Sequence, residues 1–477
     1  MSGMSRTLPE DVGILGIEFY FPGNYVSQTR LAEYMKVKPE KHTIGLGQDE
    51  MGFCGDNEDV NSLALTVTQR LLETYQIDQK KIGFLAVGTE SETDKSKSVK
   101  TYLMDLFASS GNHNIRGVDV KNACYGGTEA LLTAIDWVRS NGFKNKWAIA
   151  VMSDIAVYEE GPARPTGGAG AIAILVGPNA PVVYCPATGV YMANNNDFCK
   201  PLKPKNTEYP TVNGQTSVQA YVGALDECYK TMKEEMKEYC SEDISLKSFY
   251  SVFFHSPFTR LVEKAFGRLA LTDFAEGKFE VNEADLEKLS QYEKSELMDL
   301  KKYLTDRDLW TFWLKVTENE WTSKTLDYLA FNKRVGNMYT PSLYAQLVAL
   351  FARLPENFEQ HRVLLFSYGS GSASAMFSFK ITPGEALDRM RQVGKEVLER
   401  LDERCEFSPE DYSAILKTRE VMLATEAPKE PNTDWSPKLK LFPGTYYLTG
   451  VDAQYCRKYK RFLSVENGFV QNGHYQD

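Results

Sequence analysis

Apolar positions in this chain fall into short unbroken runs, separated by longer stretches of helical spacing. Val12–Phe21 (VGILGIEFYF) is apolar and β-rich and stops at Pro22-Gly23-Asn24, so it reads as a core strand. Ile82–Val87, Trp147–Met152, Ala171–Val176, Tyr250–Phe254, Val363–Phe366 and Ala373–Phe379 read the same way. Helices are predicted over Gln28–Met35, Asp59–Tyr75, Ser98–Ala108, Glu129–Ser140, Ser217–Glu238, Thr259–Phe266, Ser342–Arg353 and Pro383–Leu401. In Asp59–Tyr75, for example, Leu63, Val67, Leu71 and Leu72 share one side. Ile44–Cys54 and Gly161–Gly170 are glycine-rich and read as loops, Tyr184–Tyr209 is irregular, and Gly444–Val451 reads as an edge strand. This alternation predicts an α/β fold with strands buried on both faces.

The same order of elements recurs. LAVGTE (85–90) matches VFFHSP (252–257), a strand closed by a polar residue. Cys124-Tyr125-Gly126 before a helix matches Asn337-Met338-Tyr339 before another, WAIAVMSD (147–154) matches RVLLFSYG (362–369), and GAGAIAILVGP (168–178) matches GSASAMFSFKI (371–381). Four weak matches in one order predict a duplicated α/β half, with ligands near the strand C-termini.

Composition narrows the class. The chain has 477 residues, 43% hydrophobic and 25% charged, which allows a sizeable globular core. A net charge of −10 argues against nucleic acid or an anionic membrane as the main partner, although a local basic patch can still hold an anion. The eight cysteines form no CxxC, which reads as reduced cytosolic thiols, and no apolar run approaches membrane-spanning length. Met1–Val12 lacks a charged-then-apolar leader, and Tyr475-Gln476-Asp477 is no lipidation or peroxisomal signal, so a cytoplasmic location is expected. Glu276–Trp321 is strongly charged, but Leu286, Leu289, Leu297 and Leu300 recur near helical spacing, so it reads as a solvated helical insertion.

Three polar groups end predicted strands: Glu90, Cys124 and His255. Val118–Leu132 (VDVKNACYGGTEALL) reads as strand, tight turn and helix start, with the thiol on the turn. Free N–H groups at a helix start favour an anion and lower a thiol pKa. Together the three make an acyl-transfer set. Cys124 is the nucleophile, His255 a donor or acid–base group near the acyl oxygen or leaving sulfur, and Glu90 moves a proton to or from carbon or a hydroxyl. Alone, each has a plainer reading: a structural cysteine, a satisfied core histidine, a surface carboxylate for which Glu92 or Asp94 would serve equally. Gly336–Thr340 opens a predicted helix, and Ser367–Gly371 can present backbone N–H groups to an oxyanion or a pantetheine amide. Arg260 and Lys264 share a helix face that fits a phosphate or simply water. No metal-ligand spacing is visible.

The strings TIGLGQ (43–48), VGTESETDKSKS (87–98), NACYGGT (122–128), DIAVY (154–158), ARPTGG (163–168), FHSP (254–257), GNMYT (336–340) and FSYGSG (366–371) resemble eukaryotic hydroxymethylglutaryl-CoA synthase, in order from about Val12 to about Val451. The resemblance implies a thiolase-like fold of two pseudo-repeated halves, 11–180 and 181–460, in a five-layer α-β-α-β-α arrangement with the charged insertion (276–321) in the second. It implies a homodimer that condenses acetyl-CoA with acetoacetyl-CoA and water to 3-hydroxy-3-methylglutaryl-CoA and CoA, in the mevalonate route to isoprenoids and sterols. CoA thioesters are then substrates, and no metal or prosthetic group is expected.

By the same resemblance, Cys124 carries the acetyl group, Glu90 is base and then acid, and His255 positions acetoacetyl-CoA. Thr166, Ser217, Asn337 and Ser370 contact the acyl-CoA, while Arg260 and Lys264 lie near its phosphates. Asp154 and Asp197 tune acetylation and enolisation, with Tyr158 and Tyr339 beside them. Four residues depart from the family pattern: Glu129 for a small residue, Arg260 for lysine, Cys199 for tyrosine and Pro162 for asparagine. A decarboxylating ketosynthase would use Cys124, His255 and Asn337 with no need of Glu90. A catalytically silent acyl-CoA-binding scaffold is the remaining alternative.

Overall fold

The computed structural model describes residues 9–140, 145–201, 207–355, 357–432, 438–466 and 469–473. Residues 1–8 and 475–477, read above for targeting signals, lie outside them, as does 202–206 of the irregular stretch. The main sheet has nine strands: β1 Gly13–Tyr20, β2 Ile82–Gly88, β3 Asp119–Val120, β4 Trp147–Ala156, β5 Gly168–Gly177, β6 Val182–Met192, β7 Ser251–Phe254, β8 His361–Gly369 and β9 Ala373–Ile381. Their order is β7-β8-β9-β6-β1-β5-β4-β2-β3.

The sheet is two wings joined at a seam. β1 and β6 pair only through Gly13↔Val183 and Ile14↔Val182. A Cβ on Gly13 would stand 1.9 Å from the Val182 carbonyl oxygen, so only glycine permits that approach. In the first wing β1-β5 and β5-β4 are antiparallel, and β4-β2 and β2-β3 parallel. In the second, β6-β9 and β9-β8 are antiparallel and β8-β7 parallel. The wings therefore repeat one topology, and LAVGTE and VFFHSP end equivalent strands, β2 and β7. Among the described residues the second wing has no counterpart of β3. Strands β2, β5 and β7 are buried on both faces, which is why they read as continuous apolar runs.

Six helices matter to the site: α1 Val60–Thr74, α2 Gly126–Arg139, α3 Gly214–Cys240, α4 Thr259–Ala275, α5 Tyr344–Arg353 and α6 Glu385–Arg400. α2 and α5 meet between the wings, where Thr128 Oγ1 bonds the Tyr344 hydroxyl at 2.7 Å and donates to Ser367 Oγ on β8 at 2.6 Å.

Several expectations need correction. β6 lies in the stretch read as irregular; its burial alternates, so no apolar run marks it. Gly161–Gly170 holds a 3₁₀ turn, Arg164–Thr166, and the start of β5. Ile44–Cys54 includes a short strand, Glu50–Gly52. The helix at Pro409–Ala424 was not predicted at all. Thr445–Val451 is an edge strand, but of a separate sheet with Arg457–Glu466 and Phe469–Gly473. The charged insertion is helical and docked: Leu289, Leu297, Tyr303, Leu309, Trp313 and Trp321 are buried in the core cluster that α4 shares. Leu286 faces out, at 42% exposed.

Candidate active site

The chain leaves β3, passes through Ala123 in the left-handed region (φ 45°), reaches Cys124 and enters α2 at Gly126, three residues before the predicted start. Two glycines read as turn residues are helical because of what lies against them. A Cβ on Gly127 would sit 2.5 Å from Met152 Cγ, and one on Gly88, at the end of β2, would sit 2.3 Å from Gly127 Cα. Strand β2 thus presses on the first turn of α2, which delivers Glu90 to the thiol.

Cys124 Sγ donates to Glu90 Oε1 at 3.3 Å. Glu90 Oε2 pairs with Lys200 Nζ at 3.0 Å, with the carboxylate side chain only 5% exposed. The ammonium also sits 4.2 Å from the centre of the Tyr339 ring. Beneath them is buried Asp154 at the end of β4. Its Oδ1 accepts from Thr89 Oγ1 (2.9 Å), Glu90 N (2.8 Å) and Ser91 Oγ (2.8 Å). Its Oδ2 accepts from the Thr340 amide at 3.1 Å and from the Thr340 hydroxyl. Asp154 therefore fixes the Glu90 loop of the first wing to the 336–340 loop of the second. Burial, then the Glu90 charge, pushes its pKa up to about 6.

The thiol contradicts one expectation. Burial, then the charge of Glu90 and the hydrogen bond to it, then Asp154, raise the Cys124 pKa well above the ordinary thiol value. Helix α2 begins two residues beyond the sulfur, while burial and the neighbouring carboxylates act on the thiol in the opposite direction. Cys124 rests as a thiol. Glu129 is not the cause: Tyr125 OH donates to it at 2.9 Å, and burial followed by that charge raises the Tyr125 pKa. Tyr158 and Tyr339 pack edge to face at 6.4 Å between centroids, in a small apolar cluster that Cys124 and Phe198 complete.

The second wing adds further hydrogen-bonding groups. Asp197 Oδ2 accepts from Ser370 Oγ (2.7 Å) and Tyr368 OH (3.0 Å), and its Oδ1 from the Gly371 amide (3.2 Å). Asn122, two residues before the nucleophile, donates to the Ser370 carbonyl at 3.2 Å. Asn337 Oδ1 accepts from Tyr339 N (2.9 Å) and Ser342 Oγ (3.1 Å). His255 follows β7. Its amide donates to Phe366 O at 2.8 Å, and its carbonyl accepts from Tyr221 OH at 2.7 Å. Burial lowers the imidazole pKa to about 3, so the ring is neutral at physiological pH. Among the described residues no hydrogen bond joins it to Cys124 or Glu90. Strand β8 touches both sides: β7 pairs with it, and a Cβ on its Gly369 would stand 2.5 Å from the Asn122 oxygen and the Tyr125 nitrogen.

The remaining residues lie on other elements. Arg260 opens α4, pairs with Glu263 at 2.5 Å and donates to the Ile44 carbonyl at 3.2 and 3.3 Å, which docks the 43–48 loop on α4. Lys264 Nζ stands 4.1 Å from the Trp310 ring centre, and burial lowers its pKa. Thr166 bonds Ala163 O at 2.8 Å, and Ser217 lies in the first turn of α3. None of these four touches the Glu90–Cys124 pair through a hydrogen bond among the described residues. Of the competing carboxylates, Glu92 pairs with Lys121 at 3.1 Å and Asp94 caps Ser96 and Lys97, so only Glu90 reaches the thiol. Glu90, Lys200, Asn122 and Ser370 line one end of a cavity of ≈ 990 Å³ that runs out to Arg419 and Arg457. The described residues include no group of three or more His, Cys, Asp and Glu side chains suited to a metal, and no helix among them is long and apolar enough to cross a membrane. Lys200 is the residue that sequence reading missed; one lysine in a Lys- and Pro-rich stretch carried no signal.

A thiol set against a carboxylate, at matched strand ends of a duplicated α/β fold, defines a thiolase-like condensing enzyme. Residues 8–181 match the family profile "Hydroxymethylglutaryl-coenzyme A synthase N terminal" and 184–462 the profile "Hydroxymethylglutaryl-coenzyme A synthase C terminal", so the chain belongs to the hydroxymethylglutaryl-CoA synthase family. It is 44% identical to the hydroxymethylglutaryl-CoA synthase of Caenorhabditis elegans, over 98% of both chains. It is 41% identical to the cytoplasmic enzyme of Gallus gallus, over 98% of this chain and 90% of that one. The mitochondrial enzyme of Bos taurus is also 41% identical, over 95% and 90%. Among solved structures, MvaS in complex with 3-hydroxy-3-methylglutaryl coenzyme A superposes with a TM-score of 0.79 at 27% identity, covering 96% of this chain and all of that one.

Proposed function

We propose that the chain makes 3-hydroxy-3-methylglutaryl-CoA through an acetyl thioester on Cys124. The family's reaction, condensation of acetyl-CoA with acetoacetyl-CoA and water, fits the site. Cys124 sulfur attacks the acetyl carbonyl, CoA leaves, and the thiol proton passes by way of Glu90 to the departing sulfur. Glu90, again a carboxylate, takes a proton from the acetyl methyl. The enolate carbon attacks the ketone of acetoacetyl-CoA, and Glu90 returns its proton to the new alkoxide. Water then cleaves the thioester, which restores Cys124 and frees the product. Neutral His255 donates a hydrogen bond to the acetoacetyl ketone, and the Ser370 amide, in the loop that Asp197 holds, receives developing negative charge.

The observation that carries this reading is the bond between Cys124 and Glu90. A decarboxylating ketosynthase makes its enolate by losing carbon dioxide and has no use for a base there. Thr166, Ser217, Asn337 and Ser370 are assigned to the acyl-CoA, and Arg260 and Lys264 to its phosphates; both cations stand on the α4 end that the 43–48 loop covers. The steps call on no resident cofactor. We further propose two functional halves, 11–180 and 181–460, a homodimer and a cytoplasmic location serving isoprenoid synthesis. The test supplies both thioesters and identifies the product by mass. Wild type yields the six-carbon hydroxyacyl-CoA, and Cys124→Ser falls on the order of 10⁴-fold. Equal rates would remove Cys124 from the reaction.

A further inference from the structure

Glu90 has two oxygens with different neighbours. Oε1 accepts from the Cys124 thiol, and Oε2 forms an ion pair with Lys200 Nζ, which also donates to the Glu90 main-chain carbonyl at 3.5 Å. Acetylation replaces the S–H, so the first bond ends just when Glu90 must act on the methyl group. The second persists. We infer that Lys200 is the positioning residue that holds the Glu90 carboxylate oriented through the condensation step. The inference rests on Glu90 being the base.

Lys200 is itself held in place. It follows the short strand Phe198–Cys199, which pairs with Thr211–Val212, and its ammonium lies 5.8 Å from the Phe198 ring centre and 4.2 Å from that of Tyr339. Three residues earlier Asp197 grips Ser370 and Gly371. One short segment, 197–200, therefore fixes the base of the first wing and the amide loop of the second. A cation is required there on electrostatic grounds. Among the described residues, the groups facing Glu90 are Cys124 from the turn before α2, Asp154 from β4, Tyr158, Tyr339 and Lys200, and of these only Lys200 is positive. Its charge opposes the effect of burial on Asp154 and Cys124 alike. Without it, Asp154 loses the neighbouring cation that favours its charged form, and a protonated Asp154 no longer holds the Glu90 loop with a charge.

The experiment compares Lys200→Met and Lys200→Arg with wild type in the full chain, measuring covalent acetyl label on Cys124 and turnover against pH. For Lys200→Met, turnover at pH 7 should drop about 100-fold, the acid limb of the kcat profile should move up by about one pH unit, and labelling should slow less than about fivefold. Lys200→Arg keeps the cation and should recover turnover to within about tenfold of wild type. Labelling and turnover that fall together, with the acid limb unmoved, would mean that Lys200 only supports the fold. Lys200→Met with wild-type turnover overturns the proposal. Full turnover by Glu90→Gln would instead overturn the base assignment, so the two failures are distinguishable.

Discussion

The two wings of this molecule share a topology and differ in charge. In the first, strand β2 ends at Glu90, which lies against a thiol, an ammonium and the Asp154 carboxylate. In the second, the equivalent strand β7 ends at His255, buried and neutral. The nucleophile position repeats likewise: Cys124 before α2 corresponds to Asn337 before α5. At this pair of matched strand ends a duplicated scaffold thus carries a carboxylate on one side and a neutral imidazole on the other. Duplication places both sets at strand C-termini, while burial and neighbouring charges decide what each can do.

The largest expected effect separates the wings directly. Glu90→Gln keeps the shape and removes the proton acceptor, so turnover should fall on the order of 10⁴-fold, whereas His255→Gln keeps an N–H donor and should lose about 10²-fold. Steady-state kinetics with both thioesters decides it. Equal losses would mean that the histidine also moves a proton, and the division between wings would fail.

Much of this was legible beforehand, for identifiable reasons. Strands buried on both faces leave continuous apolar runs, so β2, β5, β7, β8 and β9 could be found and the repeat traced through them. Glu90, Cys124 and His255 stood out because each ends such a run. β6 was not legible, because half of it faces polar surroundings. Lys200 was not, because its role depends on a contact 110 residues away in the chain. The thiol pKa departs from the expectation because a helix start is a local feature, whereas the burial of Cys124 and the charges of Glu90 and Asp154 come from elements distant in the chain.

A second, smaller effect is thermodynamic, and the wings should titrate in opposite directions. The unfolded chain binds a proton near pH 6.5 that native His255 refuses until about pH 3, so His255 costs stability as pH falls through that interval. Asp154 holds its proton up to about pH 6 in the native state but loses it near pH 4 when unfolded, so it adds stability as pH falls from about 6 to 4. Urea melts from pH 7 to 4.5 should show His255→Gln losing less stability than wild type, by up to about 1.4 kcal/mol per pH unit, and Asp154→Asn losing more. Parallel curves for the two variants would show that neither group titrates as its surroundings dictate.

The smallest effect concerns the charge nearest the nucleophile in sequence. Glu129 lies in the first turn of α2, where a carboxylate competes with a thiolate for the positive end of the helix. Sequence distance misleads here, since Tyr125 holds Glu129 and the charges acting on Cys124 are those of Glu90, Asp154 and Lys200. Alkylation by iodoacetamide reports the thiolate fraction. Glu90→Gln removes the leading charge that opposes ionisation and should speed alkylation of Cys124 by about 10-fold. Glu129→Gln should change it less than about twofold. A larger response at Glu129 than at Glu90 would return control of the thiol to the helix end, and with it the idea that the first wing activates its nucleophile through the backbone rather than through the carboxylates that other strands bring to it.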